Sequence, residues 1–178
     1  KDADTTVVTF SLNSNQAKLE YVYRLAPSGY LLDFDIQTNG FEKVIDAKNP
    51  TLFWGASLAK LERELEDTRR RTSVVYFFKN GEGDNISKTA TDHEEETLTD
   101  PLQWVSFNQK FFTSAIIAKN AFSNAFVTQD IPLDTEVVKN VTATLEIPYT
   151  DLANNQTAFS FYFGPNDYQI LKNVTEGF

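Results

Sequence analysis

The chain contains no cysteine and no methionine, and it carries one histidine among its 178 residues. Without cysteine there is no disulfide and no thiolate zinc site, an absence that is neutral as to compartment. A lone histidine supplies neither a His-pair metal motif nor a histidine-based proton relay. The first residue is Lys1 rather than methionine, which suggests a processed or excised chain. No window approaches the roughly 18–20 apolar residues of a membrane span, and no signal-peptide core is visible. Glycine is also scarce. Gly81-Glu82-Gly83 lacks the further glycines of a phosphate loop and reads as a turn, and no Gly-x-Ser-x-Gly elbow occurs. Positive charge is in deficit: 16 Lys and Arg against 25 Asp and Glu leave a net charge of −9. That balance opposes nucleic-acid binding and adsorption to anionic head groups, because both need a cation surplus. The longest basic run, Arg69-Arg70-Arg71, follows Glu62, Glu64, Glu66 and Asp67 and reads as a locally neutralised solvent face.

What the chain has in quantity is aromatic residues: 15 Phe, 7 Tyr and 2 Trp. Large, stiff side chains of this kind favour pleated, half-buried surfaces. Period-2 alternation is the recurrent pattern. Val8, Phe10 and Leu12 share a face, as do Leu19, Tyr21, Tyr23 and Leu25. After the turn Pro27-Ser28-Gly29, residues Tyr30, Leu32, Phe34 and Ile36 alternate with Asp33, Asp35 and Gln37, which predicts a hairpin closed by Asn39-Gly40. Further strands are expected near residues 52–54, over 74–78, and twice within residues 102–118, where apolar residues on both parities predict burial on both faces. Others are expected over 122–127, 141–147 and 159–163.

Residues 57–71 have helical composition, with Leu58, Leu61 and Leu65 as a narrow apolar stripe, and read as either a surface helix or a long polar loop. Residues 79–100 are polar and predict a solvated loop, with Thr91 and Glu94 as a weak capping box. A terminal helix is expected over residues 166–174, with Tyr168, Leu171 and Val174 as its apolar face. About nine strands at intervals of roughly ten residues favour an all-β, mainly antiparallel sandwich in one domain.

Candidate chemistry is thin. His93 lies in Asp92-His93-Glu94-Glu95-Glu96, which lacks the order of a calcium loop, so an exposed histidine in an acidic segment is the simpler reading. Asp33 and Asp35 share a strand face and could act as paired carboxylates, but two acids on an alternating strand are more simply its wet side. Trp54 and Trp104 could stack on a sugar ring; core packing is the simpler account, and Trp54, beside Gly55, is the more open of the two. No catalytic residue, metal ligand or cofactor site is expected.

Several of these residues resemble a known family. Trp104-Val105 followed by Phe111-Phe112 and Ala115-Ile116-Ile117 is similar to a strand pair in the large periplasmic domain of YidC membrane protein insertases. Phe163-Gly164-Pro165 resembles the family's ending of its last strand. The hairpin over residues 19–38 and Trp54-Gly55 fit the same order along the chain. The resemblance implies a β-supersandwich of galactose-mutarotase type with a short C-terminal helix, of which residues 1–178 would be the C-terminal part of a larger domain. It implies the periplasmic face of the bacterial inner membrane, membrane attachment through segments outside this chain, and Sec translocon subunits and nascent membrane proteins as partners. It carries no insertase residue into this segment. Sugar mutarotases use two histidines and a carboxylate, which this chain does not have, so the fold likeness implies no activity. The expected function is therefore a non-catalytic accessory domain that scaffolds or docks partners, with Tyr168 and Leu171 as candidate contacts to a partner or to the membrane domain. The alternative is a carbohydrate-binding or degenerate mutarotase-like module, with Trp54 as the stacking residue.

Overall fold

A computed structural model describes residues 4–41, 44 and 48–178. Twelve strands and three short helices follow one another along the chain. They are β1 (Thr6–Asn13), β2 (Lys18–Leu25), β3 (Leu31–Asn39), β4 (Thr51–Ala59), α1 (Leu65–Arg70), β5 (Ser73–Phe78), β6 (Gly83–Asn85) and β7 (Glu94–Leu98). Then come β8 (Leu102–Asn108), β9 (Phe112–Phe122), β10 (Asn124–Asp130), β11 (Val137–Glu146), α2 (Tyr149–Ala153), β12 (Phe159–Pro165) and α3 (Tyr168–Leu171).

The strands form two antiparallel sheets. The larger has eight strands in the order β1-β2-β3-β12-β9-β8-β5-β6, and the smaller has four in the order β4-β11-β10-β7. The alternation read from the sequence becomes the register. In the hairpin, Tyr21 faces Ile36 and Tyr23 faces Phe34, so apolar residues of neighbouring strands share one side of the sheet. Strand β12 then continues that side, with Phe159 opposite Phe34 and Phe161 opposite Leu32.

The sheets meet through one apolar core that includes Phe34, Val105, Phe107, Ile116, Phe122, Val141, Ala143 and Leu145. Trp54 of β4 stacks on Phe107 of β8 with ring centroids 4.0 Å apart, and it meets Phe161 of β12 edge-on at 6.1 Å. Tyr76 of β5 donates a hydrogen bond to Glu96 of β7 at 2.6 Å. These contacts set the smaller sheet over the β12-β9-β8-β5 part of the larger one. Strand β8 is buried or half-buried along its whole length, as its two-sided apolar pattern requires.

Three expectations need correction. Leu58 is not on a helix: it lies in β4, opposite Lys139 of β11, and is buried in the core, while Leu61 is 81% exposed. Only Leu65–Arg70 is helical. Pairing along β11 extends β4 to Ala59 and overrides a local composition that suits a helix. The polar segment 79–100 is not all loop. It contributes β6 and β7, and Glu94, the expected cap partner of Thr91, opens a strand paired with β10. An edge strand can leave its acids in water, so it shows no alternating apolar signal. The terminal helix is one turn, Tyr168–Leu171, capped by Asp167, whose side chain accepts from the Gln169 N–H at 2.7 Å. The turn α2 and its single buried residue, Leu152, had no sequence signal. Part of the mixed segment before β4, residues 42, 43 and 45–47, lies outside the described residues.

The glycine of Phe163-Gly164-Pro165 has a steric reason. A Cβ there would lie 2.6 Å from the Tyr162 hydroxyl oxygen, 2.7 Å from its Cζ and 2.8 Å from Cγ of Tyr30. Tyr162 is fully buried and donates to the Pro165 carbonyl at 2.9 Å, so its ring has no free direction to move. Gly164→Ala is expected to cost about 1–3 kcal/mol in urea unfolding. A loss within error of zero would show that the rings yield freely.

Candidate functional site

Beyond β12, the chain turns onto the face of the larger sheet that carries Tyr162. Leu171 is 6% exposed and packs with Ala115 and Tyr162, joined by Ile170, Val174 and Phe178. Trp104, also on this face, donates its indole N–H to the Glu176 carbonyl at 2.9 Å. Its ring is flanked by Phe77 at 5.6 Å and Phe178 at 4.9 Å. The C-terminal segment is thus held down by a row of aromatic contacts. Trp104 is buried, as the core reading expects, and it borders this smaller cluster through Phe178.

Tyr168, one turn before Leu171, is 70% exposed, with the Lys172 ammonium 5.7 Å from its ring centre. The turn between β8 and β9 is close by: the Asn166 N–H bonds the Phe111 carbonyl at 3.0 Å, and the Asn166 side chain bonds the Gln109 carbonyl at 2.8 Å. Phe111 is 62% exposed, and Phe112, opposite Pro165, is also exposed. Tyr168 and Phe111 are therefore exposed aromatics linked through Asn166 at one end of the larger sheet, an aromatic rim, while Phe112 shares the parity of the core residue Ile116 and faces the other side of the sheet. In the sequence, Phe111 and Phe112 look like strand interior. Only the position of the turn reveals that they face water. Of the two candidate contacts, Tyr168 is on the surface and Leu171 is beneath it. Trp54 is elsewhere, half-buried between the sheets, with one ring face against Phe107.

The titratable groups do not converge on a common site. Asp35 pairs with Arg24, and Asp33 accepts from Ser160 at 2.8 Å, along an open polar groove that also includes Gln103 and Lys119. His93 bridges Asp130, 2.6 Å from its Nδ1, and Glu95, 3.1 Å from its Nε2. Among the described residues, no group of three or more His, Cys, Asp and Glu side chains is placed to hold a metal ion. The two carboxylates, Glu95 first, raise the His93 pKa above its ordinary 6.5. NMR titration should find the imidazole still protonated where a free histidine is largely neutral, and Asp130→Asn should bring the midpoint down. An unshifted midpoint would mean that the bridge does not persist in solution.

Lys139 is fully buried, and its one side-chain partner is Gln129, 3.2 Å away. Burial, reinforced by nearby Arg69 against a weaker pull from Glu94, pushes its pKa down from 10.5 to about 8. Below about 8 both folded and unfolded chains carry the charge, so the burial cost is fully present. Between about 8 and 10.5 the folded chain has lost the proton and the unfolded chain has not, so stability rises with pH. The wild type should therefore gain on Lys139→Met in urea unfolding as the pH climbs through that window. A difference that does not change with pH would contradict the burial of a charged amine.

Two antiparallel sheets packed face to face, with a clamped C-terminal segment, define a β-sandwich domain. The whole chain, residues 1–178, matches the family described as the YidC periplasmic domain, and the chain belongs to that family. It is 30% identical over 186 residues to the membrane protein insertase YidC of Cytophaga hutchinsonii, a match that covers 98% of this chain and 30% of that protein. It is 28% identical to the namesake in Amoebophilus asiaticus, over 90% of this chain and 27% of that protein. The YidC of Phocaeicola vulgatus is also 28% identical, over 97% of this chain and 28% of its own length. The chain thus spans less than a third of the length of these relatives. Among the described residues, no helix is long and apolar enough to cross a membrane.

Proposed function

We propose that this chain is a non-catalytic accessory domain on the periplasmic face of the bacterial inner membrane. In this reading it supports insertion and folding of inner-membrane proteins by holding partners in place, and the membrane spans lie in other parts of the same protein. Three relatives bearing the name membrane protein insertase support the setting. Family membership favours this reading over the carbohydrate-binding one.

The observation that carries the docking role is the aromatic rim. Tyr168, on the C-terminal segment, and Phe111, in the turn between β8 and β9, stand exposed while Leu171 is spent on packing. Aromatic residues are over-represented where one protein surface meets another and at the membrane interface. Tyr168 makes the contact, and Leu171 seats the turn that presents it. The partner is the membrane-embedded part of the same protein, a Sec translocon subunit, or a nascent membrane protein.

The test pairs an insertion assay with a folding control. Tyr168→Ser combined with Phe111→Ser in the full-length protein should slow insertion of a reporter membrane protein, while the 178-residue chain keeps its melting temperature. Leu171→Asp should instead lower the stability of the chain itself, by about 3 kcal/mol or more, because it buries an unpaired carboxylate. Normal insertion by the double variant would remove the rim from consideration.

A further inference from the structure

A cavity of about 450 Å³ lies between α1 and the loop before β7, lined by Glu66, Arg69, Arg70, Lys88, Thr89, Ala90, Thr91 and Ile131. Three of its eight lining residues are cations, in a chain whose net charge is −9. Arg70 and Lys88 make no ion pair and no side-chain hydrogen bond with any described residue, although acids outnumber bases in this chain by 25 to 16.

Arg69 is fixed in the wall. Its side chain is only 14% exposed. Its Nε donates to the Val138 carbonyl at 3.1 Å, and its Nη2 donates to those of Pro132 and Val137 at 2.9 and 3.2 Å. Nη1 makes no hydrogen bond among the described residues; only Glu66, three-quarters exposed, stands 3.5 Å from it.

A further cation lies behind the loop. Lys139 has no carboxylate partner among the described residues, and its hydrogen bond to Gln129 continues to the Ser87 carbonyl at 2.6 Å, next to Lys88. A buried ammonium and a held guanidinium near each other raise the local potential, and the one carboxylate in the wall, Glu66, is three-quarters exposed and set against three cations. The hydroxyls of Thr89 and Thr91 add neutral donors.

We propose that this cavity binds a phosphate group. Arg and Lys side chains with unspent N–H groups, together with hydroxyl donors, are the donor set that phosphate oxygens take. The volume falls in the range of small-molecule sites, which leaves room for a group attached to the phosphate. Free phosphate and the phosphodiester of an anionic lipid head group share this chemistry. The chain's overall negative charge opposes general adsorption to a membrane surface, so lipid binding here would depend on this one cavity.

The 178-residue chain is titrated with inorganic phosphate up to about 50 mM at constant ionic strength, read by melting temperature and by NMR shifts of Thr89–Thr91 amides. A rise in melting temperature that saturates, with shifts confined to this loop and α1, is expected. Arg70→Gln combined with Lys88→Gln should weaken the affinity by about tenfold or more, with the unliganded melting temperature unchanged because both side chains are exposed. Co-flotation with phosphatidylglycerol vesicles, set against phosphatidylcholine vesicles, separates the sources. Vesicle binding that the double variant loses assigns a lipid head group, and phosphate binding without vesicle binding assigns a soluble phosphate. Two results overturn the proposal: no response to either probe, or a response that the double variant retains in full.

Discussion

The structure depends on β12. This last strand pairs with β3 along one edge and with β9 along the other, so it joins the first three strands to the rest of the larger sheet. Without it the hairpin of β2 and β3 would have no hydrogen-bonded link to β9. Its side chains divide the labour. Phe159 and Phe161 enter the core between the sheets, while Tyr162 anchors the small cluster under the C-terminal segment. Gly164 permits Tyr162 and Tyr30 to meet where a Cβ would stand. One seven-residue strand thus sets the continuity of the sheet and the place where the C-terminal segment lands.

The aromatic rim follows from that arrangement. The chain leaves β12 beside the turn between β8 and β9, and the Asn166 bonds to Phe111 and Gln109 hold the two together. Phe178 of the C-terminal segment is clamped against Trp104 and Tyr162, with Phe77 on the other side of Trp104. Tyr168 and Phe111 stay outside this cluster. A surface built in this way is stiff, which suits docking better than catalysis. The two described groups with large pKa shifts, Lys139 and Tyr76, are explained first by burial and lie apart from the rim.

Much of the fold was legible in the chain. Alternating apolar residues marked β2, β3, β11 and β12, because a strand with one dry face must show period 2; β1 shows the same alternation although it is exposed along its length. The two-sided apolar run over β8 and β9 announced a layer covered on both faces. The edge strand β7, which carries little apolar side chain, was not legible. Glu94, Glu95 and Glu96 of β7 carry no apolar signal, and only pairing with β10 makes them a strand. Leu58 misled for the opposite reason: its spacing to Leu61 and Leu65 fits a helix, and β11 decided otherwise. Of the candidate site residues, Tyr168 and Leu171 share one helical face in the sequence yet lie on opposite sides of the surface. A one-turn helix is too short for its periodicity to sort residues, so the landing site on the sheet did the sorting.

The residues themselves dictated an aromatic, antiparallel β-sandwich and the tight hairpin, because alternation and turn chemistry act over a few residues. Exposure belongs to the tertiary structure. Whether Phe111 faces a core or water, whether Arg70 and Lys88 meet a carboxylate, and whether Lys139 is buried all depend on strands distant in the chain. Burial and charge pairing arise from the sum of such neighbours, and no short stretch of residues contains that sum.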